Sequence, residues 1–148
     1  MDLAFLLAHA THVLQTELTA ELAGVGITPR GNCVLAAALT GEKTQIQLAD
    51  MCQLDKTTMV VTVDELERAG LAERVPSSSD RRARIIRVTR AGKRLVAKGE
   101  KVVSEIQEDV LATLPAAERR TLLDALENLV EGRLSTPEPC SRAPRRRG

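Results

Sequence analysis

A cluster of arginines stands out among the residues whose types and spacing could do chemistry. It lies in the polar segment SSSDRRARIIRV, where the single acidic residue Asp80 is followed by Arg81, Arg82, Arg84 and Arg87. Guanidinium groups bind phosphate and carboxylate groups through several donors at once. The cluster therefore predicts a surface that binds a polyanion.

The charge distribution along the chain supports this prediction. The net charge is only +1, but residues 68–98 contain ten basic and two acidic residues and residues 133–148 contain five basic and one acidic. A basic block on an otherwise acidic protein marks one face for a polyanion. The alternative is a solvated charged hairpin, but the block coincides with a hairpin-and-helix pattern rather than with a uniform tail.

The sequence lacks the patterns that are typical of enzymes. It contains no phosphate-binding loop, dinucleotide fingerprint or cluster of metal ligands. His9 and His12 are three residues apart without a clustered cysteine or carboxylate, which makes a poor metal site. We therefore expect a protein that is not an enzyme and has no catalytic residues, metal or cofactor.

The cysteines and the apolar content indicate a cytoplasmic protein. Cys33, Cys52 and Cys140 are odd in number and far apart, which argues against a disulfide framework. Cys33 and Cys52 lie among apolar neighbours and are expected to be inert core thiols. No run of eighteen apolar residues and no signal peptide are visible, so we expect no contact with a membrane.

The elements that position the arginines follow from apolar spacing, capping residues and turn residues. A capping box of Thr44 and Gln47 predicts one helix start, and Asp55 predicts the next. The predicted order is a helix over 3–23, a helix from Pro29, helices over 45–52 and 56–69, strands over 71–75 and 85–88, a long helix from Thr89 that breaks at Pro115, and a last helix to about Glu131.

This order predicts a mostly α (α+β) fold, a winged helix-turn-helix over residues 28–89. Residues 1–27 and 90–132 would form a helical dimerisation region, and residues 133–148 a basic, disordered tail. The long helices carry more apolar surface than the small winged module can cover, so a second copy would bury it. The alternative is a monomer with a small helical subdomain.

Three segments resemble the MarR family of bacterial transcription regulators, over roughly residues 3–132. SSSDRRARIIRVTRAGKRL is similar to the wing signature of the family, through Asp80, Arg82, the strand, Thr89 and Gly92. DKTTMVVTVDELERAGL resembles the recognition helix, and ITPRGNCVLAAAL resembles the second helix. The resemblance implies a dimer that binds a near-palindromic operator in double-stranded DNA, usually as a repressor, and that a small anion or an oxidant releases.

The resemblance also implies roles for the helix that would enter the major groove. Lys56, Thr57 and Thr58 would lie in its first turn, toward bases and phosphates, although the two threonines could instead only cap the helix. Val60 and Val61 stand where relatives often have Ser or Thr and then Arg, which removes a guanine contact. Val61 could touch a thymine methyl group or be buried.

The wing residues and the turn receive roles in the same way. Arg82 would enter the minor groove, and Arg81, Arg84 and Arg87 would contact phosphates or water. Asp80 would pair with a nearby arginine and hold the wing in shape, or be a solvated turn residue. In the turn before the recognition helix, Gln53 replaces a common glycine and would strain the turn or adopt the left-handed conformation.

The resemblance places an effector pocket between the dimerisation helices and the DNA-binding lobe. His9, His12 and Arg30 would contact a small anionic or amphipathic effector there, although the two histidines could equally lie on the surface or in a dimer interface. The first helix has no cysteine and the chain has no tyrosine, so an oxidant sensor is not expected. An alternative function is a helical interaction protein whose basic wing binds polyanions nonspecifically.

Overall fold

The computed structural model describes residues 1–136 as six helices and two strands. In chain order these are α1 (Leu3–Val25), α2 (Pro29–Ala38), α3 (Gln45–Met51), α4 (Lys56–Arg68), β1 (Ala72–Pro76), β2 (Arg84–Val88), α5 (Arg90–Ala112) and α6 (Ala116–Glu131). The predicted element order and the mostly helical class are confirmed. Most of the basic tail predicted for 133–148, and with it Cys140, lies outside the described residues.

Each helix before the wing begins at a capping side chain, and the sequence indicated those of α3 and α4. Asp2 accepts hydrogen bonds at the start of α1, and Thr28 does so for α2, which has Pro29 in its first turn. Thr44 and Gln47 form the predicted capping box of α3. These contacts satisfy backbone N–H groups that have no partner within the helix, so the helix starts are set by local sequence.

The chain comprises two compact units, Met1–Ile106 and Gln107–Gly148. The core of the first unit is aliphatic. It is formed by residues from every helix and both strands of that unit: Leu22, Ile27, Val34, Leu35, Ala38, Leu48, Met59, Val63, Leu66, Ala72, Ile86, Val88 and Val96. Val102 and Val103 of α5 pack against this core, so the apolar stripe of α5 is partly covered within one chain.

The described part of the second unit contains the end of α5 and the whole of α6. No residue of α6 is buried, and Leu122, Leu123 and Val130 are exposed. The guanidinium of Arg119 donates to the carbonyl oxygen of Leu114 at 2.8 Å and closes the turn between the two helices. The apolar side chains of α6 are thus exposed in the part of the chain that the structure describes.

The two strands form an antiparallel hairpin with Ala72 opposite Val88 and Pro76 opposite Arg84. The hairpin extends one pair further toward its tip than predicted, because a proline is tolerated at the end of an edge strand where its missing N–H is not needed. The segment before α3 pairs with the outer edge of β2 through an isolated antiparallel bridge between Thr44 and Ile85. The N–H of Ile86 donates to the carbonyl of Lys43 at 3.0 Å.

The start of α5 is fastened to the start of the wing. The Thr89 hydroxyl donates to the carbonyl oxygen of Gly70 at 2.7 Å and accepts from the N–H of Gly92 at 3.1 Å. A Cβ atom at Gly92 would lie 2.1 Å from the carbonyl oxygen of Leu71, so only glycine fits there. This contact explains why threonine and glycine occur three residues apart after the second strand.

Within residues 1–136, no helix is both long enough and apolar enough to cross a membrane.

Candidate nucleic-acid interface

The helix-turn-helix is formed by α3, a four-residue turn from Cys52 to Asp55, and α4. Gln53 adopts a left-handed conformation with φ 53°, as the sequence indicated for a position where glycine is common. The N–H of Leu54 then donates to the carbonyl of Ala49 at 2.9 Å. This turn lets α4 begin at Lys56 in a new direction.

The first turn of α4 is held by Asp55. Its carboxylate accepts the N–H of Thr58 at 2.9 Å and the hydroxyl of Thr58 at 2.5 Å. These hydrogen bonds lower the pKa of Asp55. The Thr58 hydroxyl therefore serves the helix cap, whereas the side chains of Lys56 and Thr57 are exposed.

The rest of α4 has one buried and one exposed face. Met59, Thr62, Val63 and Leu66 are buried, and the hydroxyl of Thr62 donates to the carbonyl of Thr58 at 2.7 Å. The opposite face carries the exposed residues Thr57, Val61, Asp64 and Arg68, flanked by the exposed Val60. Val61 is 50% exposed, so the expectation that it could be buried is wrong.

Arg74 of β1 joins the wing to the helix-turn-helix. One of its terminal nitrogens forms an ion pair with Glu67, and the other lies 2.7 Å from the carboxylate of Asp64, both on α4. The side-chain carbonyl of Gln45 in α3 also accepts from the guanidinium, at 3.1 Å from Nη2. Sequence reasoning missed this network, because its partners are 7 to 29 residues from Arg74.

Glu42, in the loop before α3, holds the first residues of the wing loop after β1. It accepts the hydroxyl of Ser77 at 2.7 Å and the N–H of Ser78 at 3.2 Å. Hydrogen bonds from Ser78 and then Ser77 lower the pKa of Glu42. This contact was not predictable from the sequence because its partners are 35 residues apart, although three consecutive serines marked the loop.

The tip of the wing is ordered by its own backbone. The carboxylate of Asp80 accepts the N–H of Arg82 at 2.9 Å, and the carbonyl of Asp80 accepts the N–H of Ala83 at 3.0 Å. The expected pairing of Asp80 with an arginine guanidinium is absent among the described residues. An aspartate next to a tight turn has backbone N–H groups within closer reach than a long, solvated side chain.

The wing arginines differ in their partners. Arg81, Arg82 and Arg84 are exposed. Arg87 is exposed as well, but its Nε donates to the carboxylate of Glu73 at 2.9 Å, directly across the hairpin. Arg87 thus differs from the three arginines nearer the tip, because its charge is already balanced on the protein.

Two of the three residues predicted to contact an effector, Arg30 and His12, line neighbouring surfaces. Arg30 lines a cavity of about 180 Å³ together with Gln15, Pro29, Cys33, Cys52 and Leu54. His12 lines an open groove that also contains Gln15. His9 stacks on Phe5, with ring centroids 5.8 Å apart. Gln15 lines both the cavity beside Arg30 and the groove beside His12, so these two residues lie on neighbouring surfaces. His9 contacts the ring of Phe5 instead.

Two cysteines meet in the wall of that cavity. Cys33 is exposed, so the expectation of two buried core thiols is wrong for this residue. It lies on the outer face of α2, beside the buried Asn32 and Val34. Cys52 is half-buried, and burial, followed by a hydrogen bond with Cys33, raises the pKa of its thiol to about 12.

Comparison with known proteins identifies the fold. Residues 26–83 match the model of the MarR family. CouR from Rhodococcus jostii RHA1, solved with bound p-coumaroyl-CoA, is 26% identical over 93% of this chain and 96% of its own, with a TM-score of 0.79. A probable transcriptional regulator from Pseudomonas aeruginosa is 29% identical over 86% of this chain and 96% of its own, with a TM-score of 0.76.

A second structure of CouR contains a 23-mer DNA duplex, and it is 27% identical over 88% of this chain and 92% of its own, with a TM-score of 0.76. The helix-turn-helix and the basic hairpin define a winged-helix protein. Residues 26–83 are similar to the MarR family model, and the chain has the fold of the DNA-binding transcription regulators of that family.

Proposed function

We propose that the protein is a homodimeric, ligand-responsive repressor that binds a near-palindromic operator in double-stranded DNA. One observation carries the proposal. Arg74 joins the exposed recognition helix α4 to the basic wing through Asp64 and Glu67, so that the two DNA-contacting elements form one rigid surface. Rigid elements reach base edges and phosphates with little further loss of conformational freedom.

Docking in the major groove gives each exposed residue a role. Lys56 and Thr57, in the first turn of α4, would contact phosphates and base edges together with the helix N-terminus, and Thr58 would contribute a hydroxyl oxygen. Arg82, whose backbone is fixed by Asp80, would enter the neighbouring minor groove, where negative potential is highest in narrow A·T-rich segments.

The remaining wing arginines would mainly position the protein on the duplex. Arg81 and Arg84 are exposed and would contact phosphates. Arg87 would contribute less, because its Nε already donates a hydrogen bond to Glu73.

The proposal includes a division of the chain into two regions. Residues 28–89 would form the DNA-binding region, and the helices over 1–27 and 90–132 would form the dimer.

The apolar surface left on the outer helices supports a homodimer. In α1 the side chains of Leu3, Phe5, Leu6 and Val13 are exposed, and α6 has no buried residue. Surfaces of this kind are typical of interfaces between subunits. The expected particle has twice the 16.0 kDa mass of the chain, and light scattering that shows a stable monomer at micromolar concentration would contradict the dimer.

The effector would be a small anionic or amphipathic molecule bound between α1 and α2. Arg30 supplies the positive charge beside the 180 Å³ cavity, and His12 and Gln15 line the adjoining groove. CouR was solved with an aromatic acyl-CoA thioester, so such thioesters belong in a ligand panel with aromatic and fatty acids. To act as an inducer, the ligand has to prefer the conformation that does not fit the operator.

The decisive experiment is selection of bound sequences from random duplex DNA, with the parent protein and with Arg82→Ala. Recovery of a near-palindromic consensus by the parent protein supports the proposal, and a weaker enrichment by the variant supports the role of the wing. Binding without sequence preference would instead favour a helical interaction protein whose wing binds polyanions nonspecifically.

The effector is tested with the selected operator and the ligand panel, scored by displacement of DNA and by thermal shift. Loss of the response in Arg30→Ala would support the proposed cavity. A response that survives replacement of His9, His12 and Arg30 together would mean that the effector binds elsewhere.

A further inference from the structure

Between Lys56 and Arg68, the exposed face of α4 lacks the side chains that usually read purines. Residues 57–67 contain no Lys, Arg, Asn or Gln. Guanine and adenine present acceptors in the major groove, and Arg, Lys, Asn and Gln are the donors that pair with them. After Lys56, the next such donor on this face is Arg68, three turns further along the helix.

The polar groups that do lie on this face are largely committed. The carboxylate of Asp64 is 2.7 Å from Arg74, which balances its charge and holds it toward the wing. The Thr58 hydroxyl donates to Asp55. Thr57 is exposed on this face of α4, and its side chain carries a methyl group as well as a hydroxyl group.

Val60 and Val61 occupy the middle of the helix, and their side chains are 36% and 50% exposed. A β-branched side chain in a helix has one strongly preferred rotamer, so its two methyl groups are fixed before any partner arrives. The major groove offers one apolar group to such a surface, the C5 methyl group of thymine. An apolar contact with it removes both surfaces from water.

We infer that Val61, with Val60 beside it, selects the operator through the C5 methyl groups of thymine rather than through hydrogen bonds to purines. The inference rests on the proposed function, since it specifies how the recognition helix reads DNA. The same reasoning extends to cytosine. A 5-methylcytosine carries its methyl group at the same ring position, so methylation at a suitable cytosine strengthens binding.

The test replaces each thymine of the selected operator, one at a time, by deoxyuridine, which removes only the methyl group. At the thymine that meets Val61, the parent protein should bind roughly fourfold more weakly, as expected for one apolar carbon. In Val61→Ala the deoxyuridine penalty should disappear at that position. The coupling free energy between Val61→Ala and the deoxyuridine replacement measures the contact of Val61 with the thymine methyl group, because general effects on folding or assembly cancel in it.

Val13→Ala supplies the matched control, because Val13 is also an exposed valine, on α1 and 51% exposed. The control should leave the deoxyuridine penalty unchanged, even if it weakens the dimer. In the parent protein, 5-methylcytosine in place of an unmethylated cytosine at the same position should recover binding by a similar factor. Circular dichroism and thermal melting verify that the valine variants remain folded.

Three outcomes separate the inference from the proposed function. A selected operator with a deoxyuridine penalty that depends on Val61 supports both. A selected operator that tolerates deoxyuridine at every position, or a penalty that persists unchanged in Val61→Ala, overturns the inference and leaves the proposed function standing. Failure to recover any preferred sequence overturns the proposed function, and the inference with it.

Discussion

The side chain of Asn32 in α2 lies directly against the backbone of Gly99 in α5. A Cβ atom at Gly99 would be 2.2 Å from Oδ1 of Asn32, and both residues are buried. Among residues 1–136, this Oδ1 atom has no hydrogen-bond partner. The crossing of α2 and α5 therefore depends on the absence of a side chain at position 99.

The first prediction follows from this contact. Gly99→Ala should lower the free energy of unfolding by roughly 1–3 kcal/mol, because the added methyl group overpacks the helix crossing. Adding Asn32→Ala should restore much of that loss. Gly24→Ala is the matched control, since a Cβ there meets nothing within 4 Å, and it should stabilise α1 by about 0.5–1 kcal/mol. Urea unfolding of the parent protein and the three variants measures these effects, and a Gly99→Ala variant as stable as the parent would contradict the close approach.

The second prediction concerns the wing. Arg82→Ala should weaken operator binding by roughly 1–3 kcal/mol if the guanidinium makes a specific groove contact. The double variant Glu73→Gln/Arg87→Ala removes an ion pair without changing the net charge, and it should weaken binding less. Operator affinities measured at several salt concentrations test whether Arg82→Ala loses more affinity than the double variant. The assignment of the wing is wrong if Arg82→Ala binds the operator as tightly as the parent protein at physiological salt.

The third prediction concerns the turn between α3 and α4. Gln53 has φ 53°, a conformation that is unfavourable for residues with a Cβ atom. Gln53→Gly should therefore raise the free energy of unfolding by roughly 1 kcal/mol, whereas Gln53→Val should lower it by at least as much. Thermal or urea unfolding distinguishes the two. Destabilisation by glycine would show that the glutamine side chain makes a contact that outweighs the backbone strain.

The fourth prediction concerns the two cysteines, studied in a Cys140→Ser background. Iodoacetamide reacts with thiolates, and the pKa of Cys52 is raised to about 12 by burial and by the hydrogen bond with Cys33. We expect the exposed Cys33 to be alkylated first, and the rate at Cys52 to keep rising as the pH approaches 12. Mass spectrometry of peptides reports each site, and equal rates at neutral pH would contradict this assignment.

The fifth prediction concerns acid. Hydrogen bonds lower the pKa of Glu42 and of Asp55 in the folded state. Each carboxylate therefore contributes stability above its unfolded pKa, and that stability is lost as the pH falls through the lower folded pKa. Glu42→Gln should make the melting temperature fall less steeply between about pH 6 and about pH 3. An unchanged acid dependence would mean that the serine contacts of Glu42 add no stability.

The helices and the turn were predictable because their signals are local. Asp55 caps the helix that starts one residue later, and Thr44 with Gln47 spans only three residues. The exposed face of α4 followed from the periodicity of its apolar residues. Val61 was left open between a thymine contact and burial, because it is an apolar residue beside the predicted core stripe of Met59, Val63 and Leu66. The structure shows that stripe buried and Val61 50% exposed.

The contacts that hold the interface together were not predictable, because they join distant positions. Arg74 appeared only as one more basic residue of the block, and Glu42 as one more acidic residue outside it. Their partners are brought near by the packing of the hairpin on α3 and α4, over separations of up to 29 and 35 residues. Asp80 was expected to pair with a side chain, but the backbone of its own turn is closer.

The clamp that Glu42 forms on Ser77 and Ser78 has a thermodynamic consequence for association. A wing whose loop is already hydrogen-bonded at its start leaves only the arginine side chains near its tip to be ordered on the duplex. Coupled folding and binding produces a large negative heat-capacity change, because additional apolar surface is buried as the segment folds. Calorimetry on this protein should instead give a heat-capacity change that matches the rigid interface alone, and Glu42→Gln should make it more negative.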